Sequence, residues 1–236
     1  MNRQTFPVGQ MQCNCSILTC PTTNLAIVID PGSDFEEIKR RLGSARVKCI
    51  LITHAHFDHV LAARELQEST GADVYLHRAD RWLYRIMPIQ YKMFDIKGKR
   101  PPKIACYLSD NDEVVAGEIR LSVMHTPGHS PGSCCYHCQE HDTLFSGDTI
   151  FRGTVGDWKY PGGSLKQLVD SIRSRVMPLP SQTIVVPGHG SETTIGEELA
   201  SNPYLQPGYF EHLLEEDAKK PGKASIMLSM LGGIFR

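Results

Sequence analysis

The chain has 236 residues, of which 41% are hydrophobic and 22% charged, with a formal net charge of -1. That composition describes a globular protein with a sizeable core and excludes a disordered or fibrous chain. The near-neutral charge argues against a general polyanion binder, so nucleic acid is not an expected partner.

Met1-Asn2-Arg3-Gln4-Thr5 is followed by no apolar run of the kind a secretion signal needs, and no segment reaches bilayer-spanning length. The expectation is a cytoplasmic protein with no membrane partner, whose eight cysteines stay as thiols. Residues 13 to 30 read as a pair of strands, with Asn24 to Ile29 the clearer one and Asp30-Pro31-Gly32-Ser33 ending it. Ser33 or Asp34 is placed to cap a helix running to Leu42. A strand over 48–53 follows, then a polar loop, a helix to about Ser69 and a strand over Val74 to His77. This strand–helix alternation predicts an α/β fold.

Residues 78 to 103 break the rhythm. Trp82, Leu83, Ile86 and Met87 have helical spacing, and Pro88 is expected to end that helix. Its apolar stripe is expected to pack on the core. The run Lys97-Gly98-Lys99-Arg100-Pro101-Pro102-Lys103 reads either as a basic flap over an anionic substrate or as a solvated connector. Short strands with hairpin-like turns resume over 110 to 190, together with a helix from Ser164 to Val176 striped by Leu165, Leu168, Val169 and Ile172. Cys134, Cys135 and Cys138 lie in one such strand. They divide between its two faces, so they read as buried thiols and not as a metal cluster. The ligand-type residues run from His54 to His189 and cannot be shared between independent domains. One catalytic domain over 1–205 and a C-terminal appendage over 206–236 are expected. Tyr209, Phe210, Leu213 and Leu214 give that appendage a helical stripe, and Ile226, Met227, Leu228 and Met230 are expected to pack on the core or on a second subunit, as in a homodimer.

The polar loop after the strand over 48–53 is His54-Ala55-His56-Phe57-Asp58-His59, which holds three imidazoles and a carboxylate in six residues. These groups bind zinc, iron or manganese. On an extended backbone His54 and His56 point the same way, and Asp58 and His59 aim at a neighbouring point as the chain turns into a helix. Three further apolar runs exit through turn residues onto a metal-competent side chain. They lead into Thr126-Pro127-Gly128-His129, into Ser146-Gly147-Asp148-Thr149 and into Pro187-Gly188-His189-Gly190. Four strand ends carrying such residues imply convergence at one rim of the sheets. His125 stands before its turn and reads as structural, and Asp30 is expected to orient a histidine.

These four segments in this order resemble the metallo-β-lactamase superfamily, and within it the glyoxalase II-like hydrolases. Glu192-Thr193-Thr194-Ile195-Gly196-Glu197-Glu198 with Asn202-Pro203-Tyr204-Leu205 is similar to the short bacterial members, and the likeness covers residues 5 to 205. The resemblance implies a four-layer αββα sandwich. It implies that His54, His56 and His129 hold one divalent metal, that Asp58, His59 and His189 hold a second, and that Asp148 bridges them, with Asp58 and Asp148 serving catalysis. Zinc is the first expectation, with iron or manganese as alternatives. Two such ions share a hydroxide at neutral pH, which attacks a small-molecule thioester such as S-lactoylglutathione. A thiolate leaves without protonation, which suits a chain with no separate general acid in view.

Two departures bear on the substrate. Only 47 residues follow His189, with no basic pair matching the one that holds glutathione in full-length glyoxalase II. Arg152-Gly153-Thr154-Val155-Gly156-Asp157-Trp158-Lys159-Tyr160 replaces the Gly-Arg-x-Asp of relatives, with Asp157 where they carry arginine. Tyr160, Lys159 and Arg152 are the candidate substrate contacts. The competing readings on this fold are a mononuclear iron persulfide dioxygenase, a lactonase and a phosphodiesterase.

Overall fold

Alternation along one strand sets the layers. In β4 (Arg46–Ile52) Cys49 and Leu51 point one way, while Ile50 and Ile52 point the other. All four are buried, so this strand is covered on both faces. The computed structural model describes residues 1–218. In it β1 (Asn2–Val8), β2 (Cys13–Thr19), β3 (Leu25–Ile29), β4, β5 (Asp73–His77) and β6 (Cys106–Leu108) form one six-stranded sheet in that order. The first three strands pair antiparallel and the last four parallel. The parallel crossovers carry α1 (Phe35–Leu42), α2 (Ala63–Thr70), α3 (Arg81–Arg85) and α4 (Met87–Met93). Ile38, Leu66, Leu83 and Met87 from these helices pack onto Val28, Ile50, Ile52 and Leu76.

The second sheet runs β14-β13-β10-β9-β8-β7, with β7 (Glu113–Ala116), β8 (Ile119–His125), β9 (Cys134–Cys138), β10 (Thr143–Gly147), β13 (Ile184–Pro187) and β14 (Thr193–Thr194). A small hairpin, β11 (Ile150–Phe151) and β12 (Thr154–Val155), stands beside it. Ile27, Ile29 and Leu51 of the first sheet meet Leu121, Val123, Tyr136, Phe145 and Val186 of the second, which is the central apolar layer. The outer face of the second sheet is covered by α5 (Leu165–Ser171) with its extra turn to Val176, by α6 (Ile195–Ser201) and by α7 (Tyr209–Ala218). The result is the four-layer αββα sandwich that the resemblance implied. Cys134 and Cys138 lie in the central layer and Cys135 in the outer one, all with their thiol pKa pushed up by burial. All eight cysteines are free, and no helix among the described residues is long and apolar enough to cross a membrane.

Several local expectations are corrected. Residues 2–8 form a strand that the residue pattern does not announce, because Pro7 and alternating polar residues are tolerated on an edge. Asp34 occupies the N-cap position of α1 in a left-handed conformation (φ 53°), but its carboxylate accepts from the Gly9 amide at 2.8 Å and leaves the helix uncapped. Pro88 does not end a helix. It stands in the first turn of α4, where its missing N–H costs nothing. The inward stripe is Leu83, Tyr84, Met87, Gln90 and Tyr91, and Trp82 is 46% exposed. The basic run is tied down as a connector: Lys99 pairs with Glu65 at 3.2 Å, and the Tyr84 hydroxyl donates to the Pro102 carbonyl. In α7 Phe210 is buried against α5, and Leu213 and Leu214 flank it. Ile226, Met227, Leu228 and Met230 lie outside the described residues.

Candidate metal centre

Loops at the C-terminal ends of β4, β8, β10 and β13 meet at the rim where the two sheets face each other. The β4 loop enters a short 3₁₀ turn, Phe57–His59, which swings Asp58 and His59 beside the two preceding histidines. Two groups of three residues result, His54 with His56 and His129, and Asp58 with His59 and His189, and a third, His54 with His59 and Asp148, links them; in each the ligand atoms lie within 4.8 Å of one another. Asp148 stands between them. Its Oδ2 is 3.4 Å from His129 Nε2, 4.0 Å from His54 Nε2 and 3.8 Å from His189 Nε2, and its Oδ1 is 3.5 Å from His59 Nε2. Gly188 makes this approach feasible, since a Cβ there would overlap Asp148 Oδ1 and crowd the His59 ring.

The outward hydrogen bonds decide which ring nitrogens face the hollow. His129 Nδ1 donates to the Asp157 carbonyl at 2.6 Å, and His189 Nδ1 donates to the Met11 carbonyl at 2.9 Å. His59 Nδ1 donates to Asp30 Oδ2 at 2.9 Å. The Thr53 hydroxyl donates to Asp30 Oδ2 at 2.7 Å, so its lone pair accepts from His54 Nδ1 at 3.1 Å. A neutral imidazole protonated at Nδ1 presents a bare lone pair at Nε2. Four Nε2 atoms therefore point inward, joined by Nδ1 of His56. Burial opposes a charge on His59 and His189, but Cys13, Asp58, Asp30 and Asp148 hold the first well above the usual imidazole pKa, and Asp58 and Asp148 raise the second, so these two Nε2 atoms keep a proton until a cation displaces it. Asp30 carries out the orienting role expected of it, held also by the Thr53 amide at 2.8 Å.

The hollow fits a cation by its own chemistry. His54 Nε2, His56 Nδ1 and His129 Nε2 form a triangle with edges of 2.8, 3.0 and 3.1 Å. Burial, reinforced by the neighbouring imidazoles, holds His54 and His56 well below the usual imidazole pKa, so both rings keep their lone pairs free. Burial opposes the charge on Asp58, but His59 and His189 outweigh it and keep that carboxylate ionised. His59 Nε2 and Asp148 Oδ1 are buried without any hydrogen-bond partner, which is costly unless something positive lies between them.

The remaining sequence candidates fall differently. The Tyr160 ring stands 5.3 Å from that of His56 and 5.9 Å from that of His129, 44% exposed at the entrance. Lys159 lies over the Trp158 ring, and Arg152 donates to the Glu192 carbonyl at 3.3 Å beside Glu197. Neither makes a contact with the seven clustered residues among the interactions of the described residues. Asp157 contributes its carbonyl to His129, while its side chain accepts from the Lys159 amide. His125 donates from Nε2 to the Pro131 carbonyl and stacks on His77, a structural role. Residue pattern gives no sign of Cys13, whose Sγ lies 3.5 Å from His59 Nδ1 and whose pKa burial pushes up to about 12.

Comparison with known proteins agrees with this architecture. The profile of the metallo-beta-lactamase superfamily matches residues 8–189. The hydroxyacylglutathione hydrolase GloC of Haemophilus influenzae is 36% identical over 214 residues, covering 87% of this chain and 98% of that protein. Among solved structures, the B3 metallo-beta-lactamase BLEG-1 has a TM-score of 0.81 at 34% identity, over 87% of this chain and all of that one. TTHA1623 in a di-iron-bound form has a TM-score of 0.79 at 34% identity, over 86% of this chain and all of that one. A profile that spans both sheets and all four ligand-bearing loops, and a relative matched along nearly its whole length, lead to one assignment: the chain belongs to the metallo-beta-lactamase superfamily of metal-dependent hydrolases.

Proposed function

We propose that the protein is a binuclear metallohydrolase that cleaves a small-molecule thioester of the S-lactoylglutathione type in the cytosol. The observation that carries this reading is the pair of three-residue groups on either side of Asp148, with Asp148 Oδ1 and His59 Nε2 facing each other at 3.5 Å and neither making a hydrogen bond. His54, His56 and His129 would hold one divalent ion, Asp58, His59 and His189 the other, and Asp148 both. Zinc is the first choice of ion, and the di-iron form of TTHA1623 keeps iron in view. Bound there, such ions lower the pKa of water and polarise a carbonyl.

The chain's own residues do the rest. The carboxylates of Asp58 and Asp148 would offset the charge of two dications. The Tyr160 ring walls the entrance above His56 and His129. Burial, with Asp157, Asp58 and Asp148 nearby, pushes the Tyr160 pKa up, so its phenol remains a neutral hydrogen-bond donor at working pH. A thiolate departs without a proton, so no separate acid is required of the chain. The name of GloC supports the hydroxyacylglutathione class of substrate.

The test combines metal analysis of protein purified without added metal with thiol release from S-lactoylglutathione and other acyl thioesters. Two ions per chain with thiol release are expected. Two ions without thiol release from any thioester would overturn the substrate class. One iron per chain with oxygen consumption on a persulfide would replace the hydrolase with the dioxygenase.

A further inference from the structure

The Asp80 carboxylate is wholly buried and lies outside both metal groups. A buried carboxylate is costly unless its oxygens are well used. Asp80 Oδ2 accepts from the Ala55 amide and from the Ser130 hydroxyl, both at 2.8 Å, and Oδ1 accepts from the Gly132 amide at 2.6 Å. Ala55 is the residue between His54 and His56, and Ser130 follows His129 directly. One side chain thus grips two loops that arrive from different sheets. The fit is close: a Cβ on Gly132 would strike the Asp80 backbone and side chain. Ser133 Oγ, 2.8 Å from Ser130 Oγ and accepting from the Ser130 amide, braces the same loop.

A second group from the same β5–β6 insertion supports the first loop. Gln90 Oε1 accepts from the Phe57 amide at 3.1 Å, and its Nε2 donates to the Ala55 and Leu83 carbonyls. The peptide groups that alternate with the ligand-type side chains are therefore held from behind by α4 and by the turn before α3. Asp80 alone also reaches the His129 loop.

We infer that Asp80 is a positioning residue for the His54–His56–His129 group, setting the separation of the two loops whose ring nitrogens form that triangle. The inference rests on the reading of these histidines as one ion site. Two of the three Asp80 hydrogen bonds go to residues adjacent to members of this group and the third to Gly132 in the His129 loop, and none goes to a neighbour of Asp58, His59 or His189. The consequence is selective. Asparagine at 80 turns one acceptor into a donor facing an N–H or O–H donor, so one loop must draw back. The affinity of this ion falls about 10–100-fold, the usual effect of losing a supporting partner. The second ion is unaffected.

The experiment titrates metal-free wild type, Asp80→Asn and Ser130→Ala with zinc against a chromophoric chelator. His129→Ala and His189→Ala identify which affinity class belongs to which group. Expected are a 10–100-fold loss confined to the His129-dependent class in Asp80→Asn and a smaller loss in the same class in Ser130→Ala. Wild-type affinities in both variants, or equal weakening of both classes, would overturn the inference. Should Asp80→Asn fail to fold, the selectivity seen in Ser130→Ala decides. A single class in the wild type would overturn the two-ion reading separately. Asp80 is then judged by whether that class weakens in the variants while their metal-free unfolding midpoints stay within those of the wild type.

Discussion

Thr53→Val isolates one link in the support of the metal centre without opening a cavity. Thr53 is 1% exposed, and valine matches its shape. Its hydroxyl donates to Asp30 Oδ2 at 2.7 Å and accepts from His54 Nδ1 at 3.1 Å. Losing a hydrogen bond to a charged acceptor costs about 1.5–3 kcal/mol, and leaving a buried imidazole N–H without an acceptor costs about 1–3 kcal/mol. Together these give about 3–5 kcal/mol, because Asp30 keeps its bonds to the Thr53 amide and to His59. For a chain of this size that corresponds to a fall in Tm of roughly 6–20 °C. The assay is denaturant and thermal unfolding of the metal-free protein, with Thr53→Ser as the control that keeps the hydroxyl and loses about 1 kcal/mol of methyl burial. The freed His54 ring also loses its tautomer preference, so the His54–His56–His129 group binds zinc less tightly. A Thr53→Val protein within about 1 kcal/mol of Thr53→Ser and with wild-type zinc affinity would refute this account of how the ring is held.

Other outcomes follow from the same geometry. His56→Ala and Asp148→Ala should abolish turnover while far-UV circular dichroism stays native; turnover at the wild-type rate in either would remove that residue from the site. Burial and the stacked His125 ring, with a smaller opposing pull from Asp110 and Asp112 and a push from Arg78, lower the His77 pKa to about 4. Below pH 6.5 the unfolded chain takes up a proton there that the folded one refuses, so stability falls as pH drops from 6.5 to about 4. The contribution is ~3 kcal/mol, and His77→Gln, measured metal-free at pH 7 and pH 4, should lose that much less than the wild type; parallel profiles would contradict it. Phe210 is 1% exposed against α5. Phe210→Ala should therefore destabilise by about 3–5 kcal/mol in calorimetry, whereas a loss below about 1 kcal/mol would mean that α7 contributes little to the fold.

The candidate metal-binding rim is readable from sequence because its chemistry is local. His54 to His59 are six consecutive residues, and His129, Asp148 and His189 each follow an apolar run through a glycine turn. The supporting groups are not readable in that way. Asp80 stands in an unremarkable His77-Arg78-Ala79-Asp80, and only burial against residues 50 positions away gives it meaning. Asp30 is an intermediate case, since the turn after its strand marks it and its partners then explain it. Short-range rules fail where tertiary contacts outbid them. Asp34 abandons the helix to hold Gly9, and Trp82 stays in solvent while Tyr84 and Tyr91 turn inward. The two sheets themselves need pairings that no periodicity specifies.

Every strand of the first sheet precedes every strand of the second, so the chain passes between them once, through residues 109–112. Each three-residue group nevertheless draws two members from the loop after β4 and one from the second sheet. Neither half by itself supplies a complete three-residue group. In a chain cut in that connection, a metal ion bound at either group would act as a rivet across the seam, adding to the apolar layer that already joins the two sheets. In the intact protein the same arrangement makes metal loading a report on whether the two halves have docked.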